Sequence, residues 1–137
     1  MDLAGARKVY IPISHEAAGR GVHWSLCVAD MEKKRIIHYD SIEKRDTTIQ
    51  ENIRDYLDAD DLYKKGDMSF FNPDDWEIVQ DYGSTPQQEN GRDCGVFTCQ
   101  FMAFLNEDMG EKFDFKQEDM VHMRWRMMYS MLYGQIV

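Results

Sequence analysis

Hydrophobic and polar positions follow two different periods along this chain. Four short segments are rich in β-branched and aromatic residues and are bounded by turn-forming residues, a pattern that predicts β-strands. They cover residues 9–13, 22–29, 35–40 and 76–80. Residues 31–34 separate the second segment from the third, so these two are predicted to pair as a hairpin. Pro12 marks the first segment as an edge strand or a bulge, and the glycines in residues 15–21 predict a loop.

A helical period appears in three other segments. After residue 47, apolar residues recur three and four positions apart, with Asp46 or Thr47 able to cap the helix and Gly66 at or just beyond its end. A second helix is predicted to follow Cys94, and a third covers the methionine-rich region near the C-terminus. The apolar faces consist of Ile49, Ile53, Tyr56 and Leu57; of Phe97, Phe101, Phe104 and Leu105; and of Met120, Met123, Met127, Met128, Met131 and Leu132. We interpret the methionine face as core packing rather than a recognition groove.

Length, charge and the absence of long apolar stretches in the sequence limit the domain number and the kinds of partner that this chain is expected to have. A chain of 137 residues is expected to form a single domain, here residues 1–137. Its 16 basic and 25 acidic residues give a net charge of −9, which argues against nucleic acid or an anionic membrane as a partner. No stretch approaches the ~20 apolar residues of a membrane span, and residues 1–8 lack the apolar core of a secretory signal. The sequence therefore predicts an intracellular protein.

The cysteine pattern argues against both disulfides and metal. Cys27, Cys94 and Cys99 cannot all pair, and none lies in the closely spaced pairs of a structural zinc site, so we predict reduced thiols. Cys27 and Cys99 are interpreted as small core residues. His23 lies four positions before Cys27, but the segment reads as a strand with no further ligand nearby. The sequence thus predicts no metal site.

The ten residues from Pro86 to Gly95 are typical of a reactive-cysteine site. Proline, asparagine and glycine make this segment an irregular loop whose backbone can approach a substrate closely. The loop runs directly into the apolar helical segment, which places Cys94 at a helix amino end. The partial positive charge and free N–H groups there favour the thiolate form. Gln88 carries a side-chain amide that can donate toward a developing oxyanion.

A thiol protease also needs a base beside its cysteine and an acid to orient that base. His23 lies in one strand of the predicted hairpin and Asp40 at the end of the next, so pairing could bring the two side chains together. His15, His38 and His122 remain competing candidates for the base. The sequence does not fix the strand register, and the choice stays open at this level.

Several short motifs together match a known family. They are Val22-His23-Trp24-Ser25-Leu26, Tyr39-Asp40-Ser41, Trp76, Pro86-Gln87-Gln88, Asn90-Gly91, Asp93-Cys94-Gly95-Val96-Phe97, and the closing stretch from Phe113 to Met120 with Arg124 and Met127. In order and spacing the chain resembles the ubiquitin-like-protein-specific cysteine proteases that process and remove SUMO. This family comprises the sentrin-specific proteases of peptidase C48 type, relatives of the adenovirus protease.

The resemblance implies an α+β, papain-like or adenain-like fold with a small central mixed sheet flanked by helices. Compared with the family, the helical segment that precedes the first strand is absent or truncated here, so residues 1–137 are expected to form a partial catalytic domain or, alternatively, an unusually compact one. The implied activity is hydrolysis of peptide or isopeptide bonds after the C-terminal Gly-Gly of SUMO, in the nucleus or cytoplasm, with no metal or organic cofactor.

The resemblance also implies roles for individual residues. His23 is the general base, Asp40 its orienting acid, Cys94 the nucleophile and Gln88 the oxyanion donor. Trp24 would help to roof the narrow tunnel that admits the Gly-Gly tail, the alternative being an ordinary buried strand aromatic. Trp76 and Trp125 are assigned to packing.

Other functions remain open at this level. The modifier could differ, which would make the chain a deneddylase or another ubiquitin-like-modifier protease. A non-catalytic module that binds a ubiquitin-like protein is a second alternative. A bacterial-effector type of acyltransferase is a third, because it shares the order base, acid, cysteine.

Overall fold

The fold is a mixed β-sheet with helices on both faces, as seen in a computed structural model. The structure describes residues 3, 5–17, 20–42, 46–66, 69, 71–79, 84–107 and 112–134. The strands are β1 (Lys8–Ala17), β2 (Arg20–Asp30), β3 (Arg35–Tyr39) and β4 (Glu77–Val79). The helices are α1 (Thr48–Lys65), α2 (Cys94–Asn106) and α3 (Met120–Tyr133), with short 3-10 turns at Pro73–Asp75 and Gln117–Asp119.

The four strands lie in the order β1-β2-β3-β4. The first three are antiparallel and β4 runs parallel to β3, so the sheet is mixed, as predicted. The predicted hairpin is confirmed, since Leu26 faces Tyr39 and Asp30 faces Arg35 across β2 and β3. Pro12 lies on β1, an edge strand, which is a position where a sheet tolerates proline. Gln80, the last residue of the predicted fourth strand, lies outside the described residues.

The loop predicted for residues 15–21 is wrong for residues 15–17 and 20–21, whereas residues 18 and 19 lie outside the described residues. β1 continues to Ala17 and β2 already begins at Arg20, with a register shift between His15 and Ala17. Glycine and alanine are poor strand formers in isolation, but pairing with a neighbouring strand satisfies the backbone groups and outweighs that preference. As a consequence, His15 lies directly opposite His23 on the adjacent strand.

The two faces of the sheet bury different cores. Alternate residues of β2 and β3 point to opposite faces. One face packs against α2 and α3 and is rich in aromatic side chains, with Leu26, Val28, Ile37, Tyr39, Phe97, Phe101, Phe115, Met120 and Met123 at its centre. The other face packs against α1 and is mainly aliphatic, with Cys27, Ala29, Ile36, Leu57 and Trp76. This three-layer arrangement is the predicted α+β class.

Helix α1 begins and ends at the predicted signals. Asp46 Oδ1 accepts hydrogen bonds from the backbone N–H and the hydroxyl of Thr48, which satisfies a free donor of the first turn. Gly66 follows the last turn with a φ of 52°, a conformation that suits glycine. The buried Gln50 side chain donates to the carbonyls of Ile36 and Val79, which ties α1 to β3 and β4.

The interpretation of α3 as a core helix is correct only for its first turns. Met120 and Met123 are buried, whereas Met131 is 77% exposed and Leu132 71% exposed. Trp125, assigned to packing, is 63% exposed, and Cys99, interpreted as a core residue, is exposed on α2. A 3.6-residue period identifies a face but not what covers it. Within the described residues, no helix is long and apolar enough to span a membrane.

Candidate active site

The predicted base and acid are brought together at one end of the sheet. His23 Nε2 lies 2.6 Å from Asp40 Oδ1. Asp40 follows β3 directly and is fully buried, and the same Oδ1 accepts a hydrogen bond from the Ile42 N–H. The carboxylate is therefore held from two sides and fixes the imidazole ring of His23.

The direction of α2 sets the position of Cys94. The Lys8 ammonium donates to the carbonyl of Leu105, which anchors the carboxyl end of α2 beside the start of β1. The amino end therefore points to the opposite end of the sheet, the end that carries His23 and Asp40. Cys94 is the first residue of this 13-residue helix and is 7% exposed. No hydrogen bond joins Cys94 to His23 in this structure, in which both residues are described.

Gln88 is held by the residue after the predicted acid. Ser41, which is buried, donates from its hydroxyl to Gln88 Oε1 over 2.6 Å, and the Gln88 backbone N–H donates to the Ser41 carbonyl. Gln88 Nε2 donates to the carbonyl of Asn90. An amide nitrogen carries two hydrogens, so a second donor is left for a ligand. Gln87 adds a bond from Nε2 to the Asp40 carbonyl.

A second set of polar contacts, which we call the loop network, fixes the turn that leads into Cys94. It consists of Gln88, Asn90, Asp93, Gln117 and Arg124. Asp93 Oδ2 accepts from Asn90 Nδ2 and from Gln117 Nε2, both at 2.7 Å. Asp93 Oδ1 accepts from Arg124 Nε at 3.0 Å and also from Arg124 Nη2. The loop is thereby fastened to α3.

The charge of Asp93 is stabilised by these contacts. Burial of the carboxyl group opposes ionisation, but hydrogen bonds from Asn90, Arg124 and Gln117 outweigh it and lower the pKa of Asp93 to about 2. The Arg124 guanidinium balances the charge of this fixed anion. No role was predicted for Asp93, because two of its partners, Gln117 and Arg124, lie 24 and 31 positions away.

His15 and His38 lie close to His23 and Asp40. Together with Ser25, these four residues form what we call the histidine cluster. Ser25 Oγ lies 2.6 Å from His15 Nε2 and 2.7 Å from His38 Nε2. The rings of His15 and His23 have centroids 5.2 Å apart. Burial lowers the pKa of His38, with the Asp40 charge opposing that effect. His38 is thus held on Ser25 as a neutral ring, while His122 is exposed on α3.

Two tryptophans behave differently. Trp76 is buried and stacks on Phe71 with centroids 5.0 Å apart, which confirms its packing role. Trp24 follows His23 on β2 and is 40% exposed, so it is not a buried strand aromatic. Its predicted contact with substrate stays a prediction.

Comparison with known proteins identifies the family. The sequence model of the Ulp1 protease family, C-terminal catalytic domain, matches residues 1–135. A sentrin-specific protease of Caenorhabditis elegans is 38% identical over 112 residues, which cover 82% of this chain and 15% of that protein. Sentrin-specific protease 2 of Homo sapiens is 33% identical over 119 residues, covering 86% of this chain and 20% of that protein.

Solved structures agree on the fold. The C-terminal Ulp1 protease domain crystallised with Smt3, the yeast ortholog of SUMO, superposes with a TM-score of 0.75 at 24% identity, covering 100% of this chain and 57% of that one. This chain spans 15 to 22% of the length of the curated relatives that it matches. The predicted fold and family are both confirmed, and the chain belongs to the Ulp1 protease family of cysteine peptidases, within its C-terminal catalytic domain.

Proposed function

We propose that this chain hydrolyses peptide and isopeptide bonds after the C-terminal Gly-Gly of SUMO. The observation that carries the proposal is the 2.6 Å contact between His23 and Asp40 at the end of the sheet toward which the amino end of α2 points. Membership of the Ulp1 family supports the protease chemistry. The names of the relatives and the Smt3 complex of the yeast domain support SUMO as the modifier.

The proposed reaction begins at Cys94. The Cys94 thiol gives its proton to His23, and the resulting thiolate attacks the terminal glycine carbonyl carbon and forms an S–C bond. The second N–H of Gln88 and the Cys94 backbone N–H donate to the resulting oxyanion. The protonated His23 gives its proton to the leaving amine as the C–N bond breaks. Water activated by His23 then hydrolyses the thioester and releases the glycine carboxylate.

Trp24 supplies the proposed selectivity for glycine. An exposed indole beside His23 can cover an extended tail, and only residues without a Cβ pass under a close aromatic roof. The 40% exposure of Trp24 is consistent with a side chain that a ligand covers.

The test uses two cysteine variants of the same helix. Cys94→Ala should abolish cleavage of a fluorogenic substrate attached to the SUMO C-terminus, because it removes the nucleophile. Cys99→Ala is the matched control, since Cys99 is an exposed thiol on α2. Full activity of folded Cys94→Ala would refute the proposal.

The modifier is tested separately with suicide probes that carry a reactive group at the C-terminus of SUMO or of another ubiquitin-like protein. Labelling of Cys94 by the SUMO probe alone is the expected result. Labelling by another probe instead would make the chain a different ubiquitin-like-modifier protease. Binding of SUMO without labelling or turnover would identify a non-catalytic binding module.

A further inference from the structure

We propose that His15, His23 and Asp40 form a binding site for a divalent cation of the zinc class, and that the bound cation withdraws His23 from catalysis. The binding part depends only on the geometry of these three residues. The inhibitory part rests on the proposed function.

The first support is the donor geometry. Each of the three residues offers one ligand atom, and these atoms all lie within 4.8 Å of one another. Two imidazole nitrogens and one carboxylate oxygen form a donor set that zinc uses in open sites, where a fourth position is left for another ligand. Bond lengths of about 2.0–2.2 Å in a tetrahedron place ligand atoms roughly 3.4 Å apart.

The second support is the state of the Asp40 carboxylate. Asp40 is fully buried, and its Oδ1 already accepts from His23 and from the Ile42 N–H. Its Oδ2 is buried without a hydrogen-bond partner in the described structure. A buried carboxylate oxygen without a partner is costly, and coordination of a cation by this group is a way to offset that cost.

The third support is the rigidity of the donors. His15 and His23 are direct partners on β1 and β2, so both rings project from paired strands on the same side of the sheet. Ser25 Oγ contacts His15 Nε2 and is itself held by the buried His38. Hydrogen bonds of this kind behind a ligating histidine fix its ring orientation and strengthen binding.

Occupancy by a cation has a direct chemical consequence. A nitrogen lone pair of His23 bound to the metal replaces the contact with Asp40 that orients the base, and the coordinated imidazole no longer exchanges a proton with the leaving amine. His15 contributes to the metal site but has no part in the proposed reaction. A variant of His15 therefore tests metal binding separately from catalysis.

In the binding experiment, the full chain is titrated with Zn²⁺ and followed by calorimetry. A second titration uses Co²⁺ and follows its visible absorption, which reports tetrahedral ligation. We expect one cation per chain and a loss of at least ~10-fold in affinity for His15→Gln. His122→Gln, on an exposed histidine of α3, is the matched control and should bind as the parent chain does. Cys94→Ala should also retain binding. Loss of binding in Cys94→Ala together with unchanged binding in His15→Gln would overturn the proposal, because the thiol would then be the ligand.

In the activity experiment, SUMO cleavage is measured with and without Zn²⁺ for each variant, and the ratio of the two rates is compared between variants. Zn²⁺ should inhibit the parent chain reversibly, with recovery on adding a chelator, and His15→Gln should need at least ~10-fold more Zn²⁺. Equal sensitivity of the two chains would overturn the inhibitory part. A parent chain that binds one Zn²⁺ through His15 but cleaves no substrate would refute the proposed function and leave the metal site standing.

Discussion

The histidine cluster and the loop network differ in how completely their buried polar atoms are paired. In the loop network, both oxygens of Asp93 accept hydrogen bonds from the side chains of Asn90, Gln117 and Arg124. In the histidine cluster, Asp40 Oδ2 and His38 Nδ1 are buried without partners among the described residues. A fully paired network gives a rigid support, whereas a partly paired one keeps the capacity to take a proton or a ligand.

The difference matches what each group is proposed to do. The loop network holds the backbone before Cys94, where a displacement of about 1 Å can cost ~10²-fold in rate. The histidine cluster must change its protonation during a reaction, so it cannot be fixed in one state. Ser41 joins the two groups, since it follows Asp40 and donates to Gln88.

The largest expected effect comes from removing the acid of the histidine cluster. Asp40→Ala frees the His23 ring from the carboxylate that orients it, and kcat for SUMO cleavage should fall on the order of 10³-fold. Steady-state kinetics measure this, with circular dichroism to verify folding. Asp55→Ala, at an exposed carboxylate of α1, is the control. Unchanged kcat in folded Asp40→Ala would mean that the 2.6 Å contact is only structural.

The second-largest loss of activity is expected when a residue of the loop network is replaced. Gln88→Ala removes a donor aimed at the oxyanion, so kcat should fall by ~10²-fold or more, about 2.7 kcal/mol of barrier. Ser41→Ala leaves the amide in place but releases its orientation, and its loss should be smaller. If Gln88→Ala cleaves at the parent rate, Gln88 has no part in the mechanism.

A third effect concerns stability rather than rate. Asp93→Ala leaves the donors of Asn90, Gln117 and Arg124 without their acceptor, and the free energy of unfolding should fall by about 2 kcal/mol. Because the pKa of Asp93 is lowered from 3.8 to about 2, this contribution is present above pH ~4 and is lost as the pH falls toward 2.

Urea denaturation at several pH values measures this loss. Asp114→Ala, at an exposed carboxylate, is the control and should change little. Equal stability of the two variants would show that the loop network does not hold the fold.

The smallest effect is a change in pH dependence. The pKa of His38 is lowered from 6.5, so below that pH the unfolded chain takes up a proton that the folded chain resists, and stability falls as the pH drops from about 7 toward 5. His38→Gln should flatten this slope. His122→Gln, at an exposed histidine, should not. Identical slopes for His38→Gln and the parent chain would argue against a neutral His38 in the fold.

Much of the fold was predictable because it depends on local patterns. Turn residues and β-branched runs located the hairpin, and Asp46 and Gly66 marked the ends of α1. The prediction failed for residues 15–17 and 20–21, where pairing across β1 and β2 overrides loop-like composition. It also failed for Cys99, Trp125 and the outer methionines of α3, because periodicity reveals a face but not its cover.

The site was predictable where the chemistry is local and not where it is distant. Gln88, Cys94 and the helix that begins at Cys94 lie in one continuous stretch of chain, so local sequence was enough to suggest the roles of these two residues, which stay predictions. The partnership of Asp93 with Arg124 joins residues 31 positions apart. The approach of His15 to His23 follows from a strand register that the sequence left open.

The sequence by itself determined the family, the class of fold and the candidate nucleophile, because motifs, periods and helix ends are properties of neighbouring residues. Only the tertiary structure decided which histidine meets Asp40, which carboxylate anchors the cysteine loop and which atoms remain buried without a partner. Those outcomes depend on register and packing, which bring distant residues together and remove water from between them.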